Sequence, residues 1–219
     1  MPTTIDGLSP AAVQVTGALG ARFIVADPDT RTPTEPDPAL RALRRVYDGP
    51  DATIFRNPRA TPRAFVAPQV QLVPDAATAH ATIAESSFDP RRTVVVERDQ
   101  AGAATLAGAD GTRGTATIAA ERNAGVTLRA RLERRGIVVL GDQLLDGWSV
   151  RVDGRPATPI RVDGVLRGVA VDAGSHEIEW SYRVPGLRAG VATSASALVL
   201  LIAAGLVTRK RRKAGRPRR

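Results

Sequence analysis

Thr115-Ala-Thr-Ile-Ala119, Val126-Thr-Leu-Arg-Ala-Arg-Leu132, Gly136-Ile-Val-Val-Leu140, Trp148-Ser-Val-Arg-Val152, Ile160-Arg-Val162, Leu166-Arg-Gly-Val-Ala-Val171 and His176-Glu-Ile-Glu-Trp-Ser-Tyr182 follow one another at nearly even spacing, and their reading decides the fold. Several alternate apolar and polar side chains, the period of a strand that turns one face to a core. Val152-Asp-Gly-Arg155 and Val162-Asp-Gly-Val165 set Asp-Gly between such runs. That dipeptide is favoured in two-residue hairpin turns, whose central residues take positive φ. Seven short strands separated by turns predict an all-β sandwich over residues 115–186.

Upstream the pattern is mixed. Arg22-Phe-Ile-Val25, Ala52-Thr-Ile-Phe55, Ala64-Phe-Val-Ala67 and Thr93-Val-Val-Val-Glu97 read as strands, and the four prolines between Asp27 and Pro38 mark a loop. Residues 39–46 suit a short helix, and residues 75–84 fit a second one with Asp75 as its N-cap. A small α+β unit is therefore expected over residues 1–99. The Gly/Ala-rich stretch 100–114 reads as a linker between it and the sandwich.

Downstream, residues 189–208 are twenty consecutive positions without a charge, including Ala197-Leu-Val-Leu-Leu-Ile-Ala-Ala-Gly-Leu-Val207. A hydrocarbon core of about 30 Å needs about 20 residues of helix, so this stretch predicts one C-terminal transmembrane helix. Arg188 and Arg209-Lys210-Arg211-Arg212-Lys213 bracket it as a stop-transfer pattern does. The small residues Gly190-Val-Ala-Thr-Ser-Ala-Ser-Ala197 suit close approach of other transmembrane helices.

The formal charge of +9 belongs largely to the end of the chain. Eight of the 31 basic residues lie between Arg209 and Arg219, which leaves 23 basic against 22 acidic residues in the rest. A nearly neutral body argues against nucleic acid as a partner, and the tail reads as a topology signal that also meets anionic lipid. The positive-inside rule then puts 209–219 in the cytoplasm and the body outside the cell membrane. Met1-Pro-Thr-Thr-Ile-Asp-Gly-Leu8 offers neither the basic nor the apolar region of an export signal. The expectation is that this region belongs to a larger polytopic protein, or to a truncated gene. The absence of cysteine excludes a disulfide framework, thiol catalysis and cysteine zinc sites.

Candidate chemistry gathers near Gly147-Trp148. Trp148 and Trp180 suit stacking on a sugar ring, and a strand tryptophan equally suits a sandwich core. Asp142, Arg161 and Arg167 suit a polar cluster for carbohydrate hydroxyls or a phosphate, and equally a structural Arg–carboxylate pair. Asp27-Pro-Asp29 has the spacing of a metal-binding acidic pair but stands in a proline-rich loop. His80 and His176 have no second histidine or cysteine at ligand spacing, so no metal site is expected. No Gly-x-Ser-x-Gly elbow or Gly-x-x-x-x-Gly-Lys loop is present. No self-contained active site and no cofactor is expected, and the sequence leaves open whether the chain serves an enzyme.

The run Gly136-Ile-Val-Val-Leu-Gly-Asp142-Gln-Leu-Leu-Asp-Gly147-Trp148-Ser-Val-Arg-Val-Asp153-Gly154 continues through Pro159-Ile-Arg161-Val-Asp163-Gly164-Val-Leu-Arg167-Gly168 and Ala173-Gly-Ser-His176-Glu-Ile-Glu-Trp180-Ser-Tyr182. Together with Leu19-Gly-Ala-Arg22, Phe55-Arg-Asn57-Pro58, Pro62-Arg63-Ala64-Phe65 and Phe88-Asp89-Pro90 upstream, it resembles the C-terminal end of the YfhO family of bacterial polytopic membrane proteins. The resemblance implies relation to GT-C-type glycosyltransferases that use lipid-linked sugars and modify envelope glycopolymers such as teichoic acids. It implies that this region is the last extracytoplasmic domain plus the last helix, with the catalytic acidic residues elsewhere. Its implied role is to help position lipid-linked sugar or envelope glycopolymer, with the bilayer and further transmembrane helices as partners. A stand-alone membrane-anchored carbohydrate-binding or protein-interaction module is the alternative. Leu144-Leu145-Asp146 stand where family members commonly carry an aromatic pair and a proline, which puts a sugar-stacking platform at that position in doubt.

Overall fold

The computed structural model describes residues 9–28, 38–106, 109 and 111–214, with the backbone alone described at 38, 188, 189 and 203–214. The elements fall into two units, residues 1–182 and 183–219.

The expected sandwich is present. Its first sheet has five strands in the order β11 (Arg155–Ala157), β10 (Trp148–Val152), β14 (Gly174–Tyr182), β8 (Gly125–Leu132) and β7 (Gly114–Arg122). The second has four, in the order β12 (Ile160–Val162), β13 (Leu166–Val171), β9 (Gly136–Gln143) and β4 (Ala64–Ala67). Both Asp-Gly turns form as expected, with φ of 51° and 75° at Asp153 and Gly154, and 49° and 75° at Asp163 and Gly164.

The second sheet is buried on both faces, which explains its apolar runs. Val66, Val138, Leu140, Val169 and Val171 point to the first sheet and meet Val126, Leu128, Val150, Ile178 and Trp180. Their sequence neighbours Phe65, Ala67, Ile137 and Val139 point the other way, against Val94 and Val96. The latter two belong to β6 (Thr93–Glu97), which pairs in parallel with β5 (Gln69–Val73). Val95 faces outward again and meets α1 (Pro10–Ala18) and α3 (Ala76–Ala84) through Ala18, Ala79 and Ile83. Asp75 caps α3 as expected, its carboxylate accepting from the Thr78 N–H at 2.8 Å.

Domain boundaries differ from the sequence division. β4 comes from the segment assigned to the N-terminal unit, yet it is an edge strand of the sandwich and pairs with β9. The stretch 100–114 is packed rather than free: Ala103, Leu106 and Ala109 are buried against the second sheet. Gln100 bonds the backbone of Arg161 on both sides.

A separate three-stranded sheet has the order β1 (Phe23–Ala26), β3 (Thr53–Arg56), β2 (Arg44–Asp48). Here the expected helix over 39–46 is corrected. Helix α2 covers only Pro38–Arg41, and the chain from Arg44 is an edge strand along β3. Ile24, Ala26 and Phe55 cover Val13, Ala39, Leu40 and Leu43 with one face of this sheet.

In the second unit, α4 (Leu187–Ala214) is one helix of 28 residues over the stretch expected to span a membrane. Among the described residues no helix is long and apolar enough to cross a membrane. Side chains in α4 are described at 187 and 190–202, and Val191 and Leu198 to Ile202 are all exposed. The side chains of Arg209, Lys210, Arg211, Arg212 and Lys213, and residues 215–219 entirely, lie outside the described residues.

Candidate functional site

One end of the sandwich is closed by a chain of charged and aromatic groups. On β9, Leu140 faces Arg167 while Gln143 faces Leu166, so Gly141 and Asp142 are extra residues that bulge from the ladder. The Gly141 N–H donates to the Arg63 carbonyl at 2.7 Å, which brings the residue preceding β4 alongside the bulge.

Arg63 then joins two carboxylates. Its Nε and Nη2 donate to Asp142 at 2.9 and 3.1 Å, and its Nη1 and Nη2 donate to Glu121 of β7 at 3.0 and 2.7 Å. Planar forks of this kind hold direction as well as charge. Because Glu121 and Asp142 stand on different sheets, Arg63 ties the two edges of the sandwich together. Hydrogen bonding to Glu121, then to Asp142, raises the Arg63 pKa above its ordinary value. Hydrogen bonding from Arg63, then its charge, lowers the pKa of Glu121, with burial and Asp142 opposing.

Arg167 continues the chain inward. It shares a sheet face with Val169 and Val171 and is 5% exposed. Its Cζ lies 3.4 Å from the Trp148 ring centroid and 5.9 Å from that of Trp180. Nε donates to the Gln143 carbonyl at 3.0 Å, while Nη1 lies 3.8 Å from Asp142 and makes no hydrogen bond among the described residues. Burial lowers the Arg167 pKa, with Asp142 opposing the shift. Stacking on the indoles offers a guanidinium favourable contact where water is excluded. Trp148 also meets Tyr182, its partner across β10 and β14, with ring centroids 5.3 Å apart.

Of the five residues named from the sequence, Asp142, Arg167 and Trp148 meet here. Trp180 is beside them but only 2% exposed, so it is a core residue and presents no face to a ligand. Arg161 pairs with Arg167 in register, yet its side chain is exposed and makes no hydrogen bond or ion pair among the described residues. Arg63, Glu121 and Tyr182 complete the cluster and were not named as candidates. Arg63 stands 79 positions from Asp142 and 58 from Glu121, so only the fold brings them together.

The remaining candidates are scattered. Asp27 and His80 are exposed, and Asp29 lies outside the described residues. His176 Nδ1 lies 2.7 Å from Asp153 Oδ2, and Asp153 Oδ1 accepts from the Glu177 N–H at 2.9 Å. Those two bonds, the histidine first, lower the Asp153 pKa and hold its left-handed backbone. Among the described residues no group of three histidine or acidic side chains could hold a metal.

The arrangement positions and pairs charges. Two guanidinium groups and two carboxylates alternate from the surface to the inter-sheet core, and their outer members, Arg63 and Glu121, are about half exposed. Such a rim can exchange internal hydrogen bonds for those of a hydroxyl-rich or phosphate-bearing ligand. No protein-family model, curated protein or solved structure matches the chain.

Proposed function

We propose that this chain is a membrane-anchored, non-catalytic extracytoplasmic domain of a YfhO-like, glycosyltransferase-related membrane protein, and that it helps to position lipid-linked sugar or envelope glycopolymer. The observation that carries the anchoring is Leu198-Val-Leu-Leu-Ile202, five consecutive large apolar residues on α4, each 55–71% exposed. They point in all directions around a helix, so an apolar medium is needed to cover them. In the sequence, the twenty uncharged residues 189–208, a run that continues past the described side chains of α4, and the basic block from Arg209 support a span with the body outside.

The glycan role is supported by the ordered resemblance and by a rim made of half-exposed Arg63 and Glu121 with the part-buried Asp142 and Trp148. It is tested by fluorescence, because the chain has only two tryptophans. With Trp180→Phe, Trp148 is the only indole reporter. Titration with a teichoic-acid-type polymer should give a saturable change that Arg63→Ala weakens severalfold. No response from a Trp148 reporter whose thermal unfolding matches the parent would contradict the glycan role. A stand-alone interaction module is the second reading, and it is favoured by Arg167 already covering one face of Trp148.

A further inference from the structure

We infer that the outer face of the three-stranded sheet docks on an anionic lipid surface. One face of β1, β3 and β2 covers a core, as Ile24, Ala26 and Phe55 show. Among the described residues nothing covers the other face. Phe23 is 59% exposed, Val25 69% and Tyr47 42%, and Val46 at the β2 bulge is 54% exposed. Register places Arg56 beside Phe23, Arg44 beside Arg56, and Ile54 between Val25 and Tyr47. Apolar and aromatic groups therefore share one surface with arginines.

Charge complementarity selects the partner. Arg44 and Arg56 make no ion pair among the described residues. Arg22, Arg56 and Arg91 line a concavity of about 440 Å³ with Phe23 and Val46. Two carboxylates beside β2 are already engaged, since Asp48 pairs with Arg45 at 2.8 Å and Asp51 accepts from the Tyr47 hydroxyl at 2.6 Å, while Asp27, directly after β1, is exposed. A surface with free cations around exposed aromatic and aliphatic side chains matches a headgroup layer, where phosphates meet the arginines and the rings enter the acyl boundary. A second copy of this chain would instead set arginine against arginine across the same face.

The inference deepens the anchoring proposed above, from which it takes the presence of a nearby bilayer, and the two can fail separately. The chain contains no cysteine, so single cysteines placed in the full chain can each carry an environment-sensitive fluorophore. The sites are Val25→Cys on the bare face, Thr117→Cys on the sandwich surface and Leu200→Cys on α4. Each is reconstituted in vesicles of phosphatidylcholine alone or of equal parts phosphatidylcholine and phosphatidylglycerol.

The expected result is a blue shift and severalfold brightening at position 25 only with phosphatidylglycerol. It should be lost in high salt and reduced by roughly an order of magnitude or more in Arg44→Glu/Arg56→Glu. Position 117 should not respond. A response at 200 without one at 25 would overturn the docking inference and leave the anchor standing. A response at 25 without one at 200 would overturn the anchor and support docking. Brightening at 25 that follows protein concentration without vesicles would overturn the lipid assignment in favour of self-association.

Discussion

Ile137-Val-Val-Leu140 and Leu198-Val-Leu-Leu-Ile202 are nearly the same words in opposite circumstances. The first run lies in β9, and none of its residues is more than 1% exposed. The second lies in α4, and none is less than 55% exposed. In an extended strand, successive side chains divide between two covering layers, and the fold supplies both: the five-stranded sheet on one side, β5 and β6 on the other. In a helix the same residues spread around the axis, and their cover must come from outside this stretch. An apolar run therefore says that something will cover it, and the local period decides whether the chain itself can do so.

Breaking the second run should have the largest effect. Leu200→Arg/Leu201→Arg places two charges within the proposed span, at a cost of about 3 kcal/mol for each near a bilayer centre. The variant is expected to leave the membrane fraction for the soluble fraction while the body keeps its unfolding transition. Retention in the membrane would erase the contrast between the two runs.

Truncation within the first run should instead destabilise the body. Ile137→Ala leaves a cavity between sheets buried on both faces, and a loss of about 2–5 kcal/mol is expected from denaturant midpoints. Leu200→Ala is the matched control and should leave the same midpoint unmoved.

A third effect sharpens the contrast between apolar and polar burial. Asp163 is 1% exposed at the β12–β13 turn, where its Oδ1 accepts from the Val95 N–H at 2.7 Å and Oδ2 has no partner among the described residues. Burial pushes its pKa up to about 7 from 3.8, against the opposing Val95 hydrogen bond. The folded state thus keeps a proton that the unfolded chain gives up. The stability contributed by this one group is full below about pH 4, falls as pH rises toward about 7 by at most about 1.4 kcal/mol per unit, and is level above. Asp163→Asn keeps an acceptor for Val95 and should flatten that slope in pH-dependent thermal melts; an unchanged slope would place its origin elsewhere.

The smallest effect is expected at the rim. Arg63→Ala removes half-exposed ion pairs, for which about 0.5–1 kcal/mol is typical, so the sandwich should fold and melt only slightly lower. A loss as large as that of Ile137→Ala would make the network part of the core.

Legibility in the sequence follows the same physics. The sandwich strands and both Asp-Gly turns were readable because period and turn chemistry are local. β2 was not: Arg44-Arg-Val-Tyr-Asp48 is exposed throughout, so it carries no burial pattern, and the preceding Ala-Leu-Arg repeat favours helix. Membership of β4 in the sandwich depends on pairing with β9 70 to 76 positions away, which no local signal encodes. In the site, Asp142, Arg167 and Trp148 cluster around one recognisable stretch. Arg63 and Glu121 join them only through sheet topology, although Pro62-Arg63-Ala64-Phe65 was already among the residues carrying the family resemblance.

The most direct test of the central claim, that α4 crosses a bilayer with the body outside, is labelling of single cysteines on intact bacterial cells by a membrane-impermeant maleimide. Thr117→Cys is expected to react on intact cells, and Arg216→Cys only after lysis. Protection of residue 117 on intact cells, or reaction of residue 216 without lysis, would contradict it.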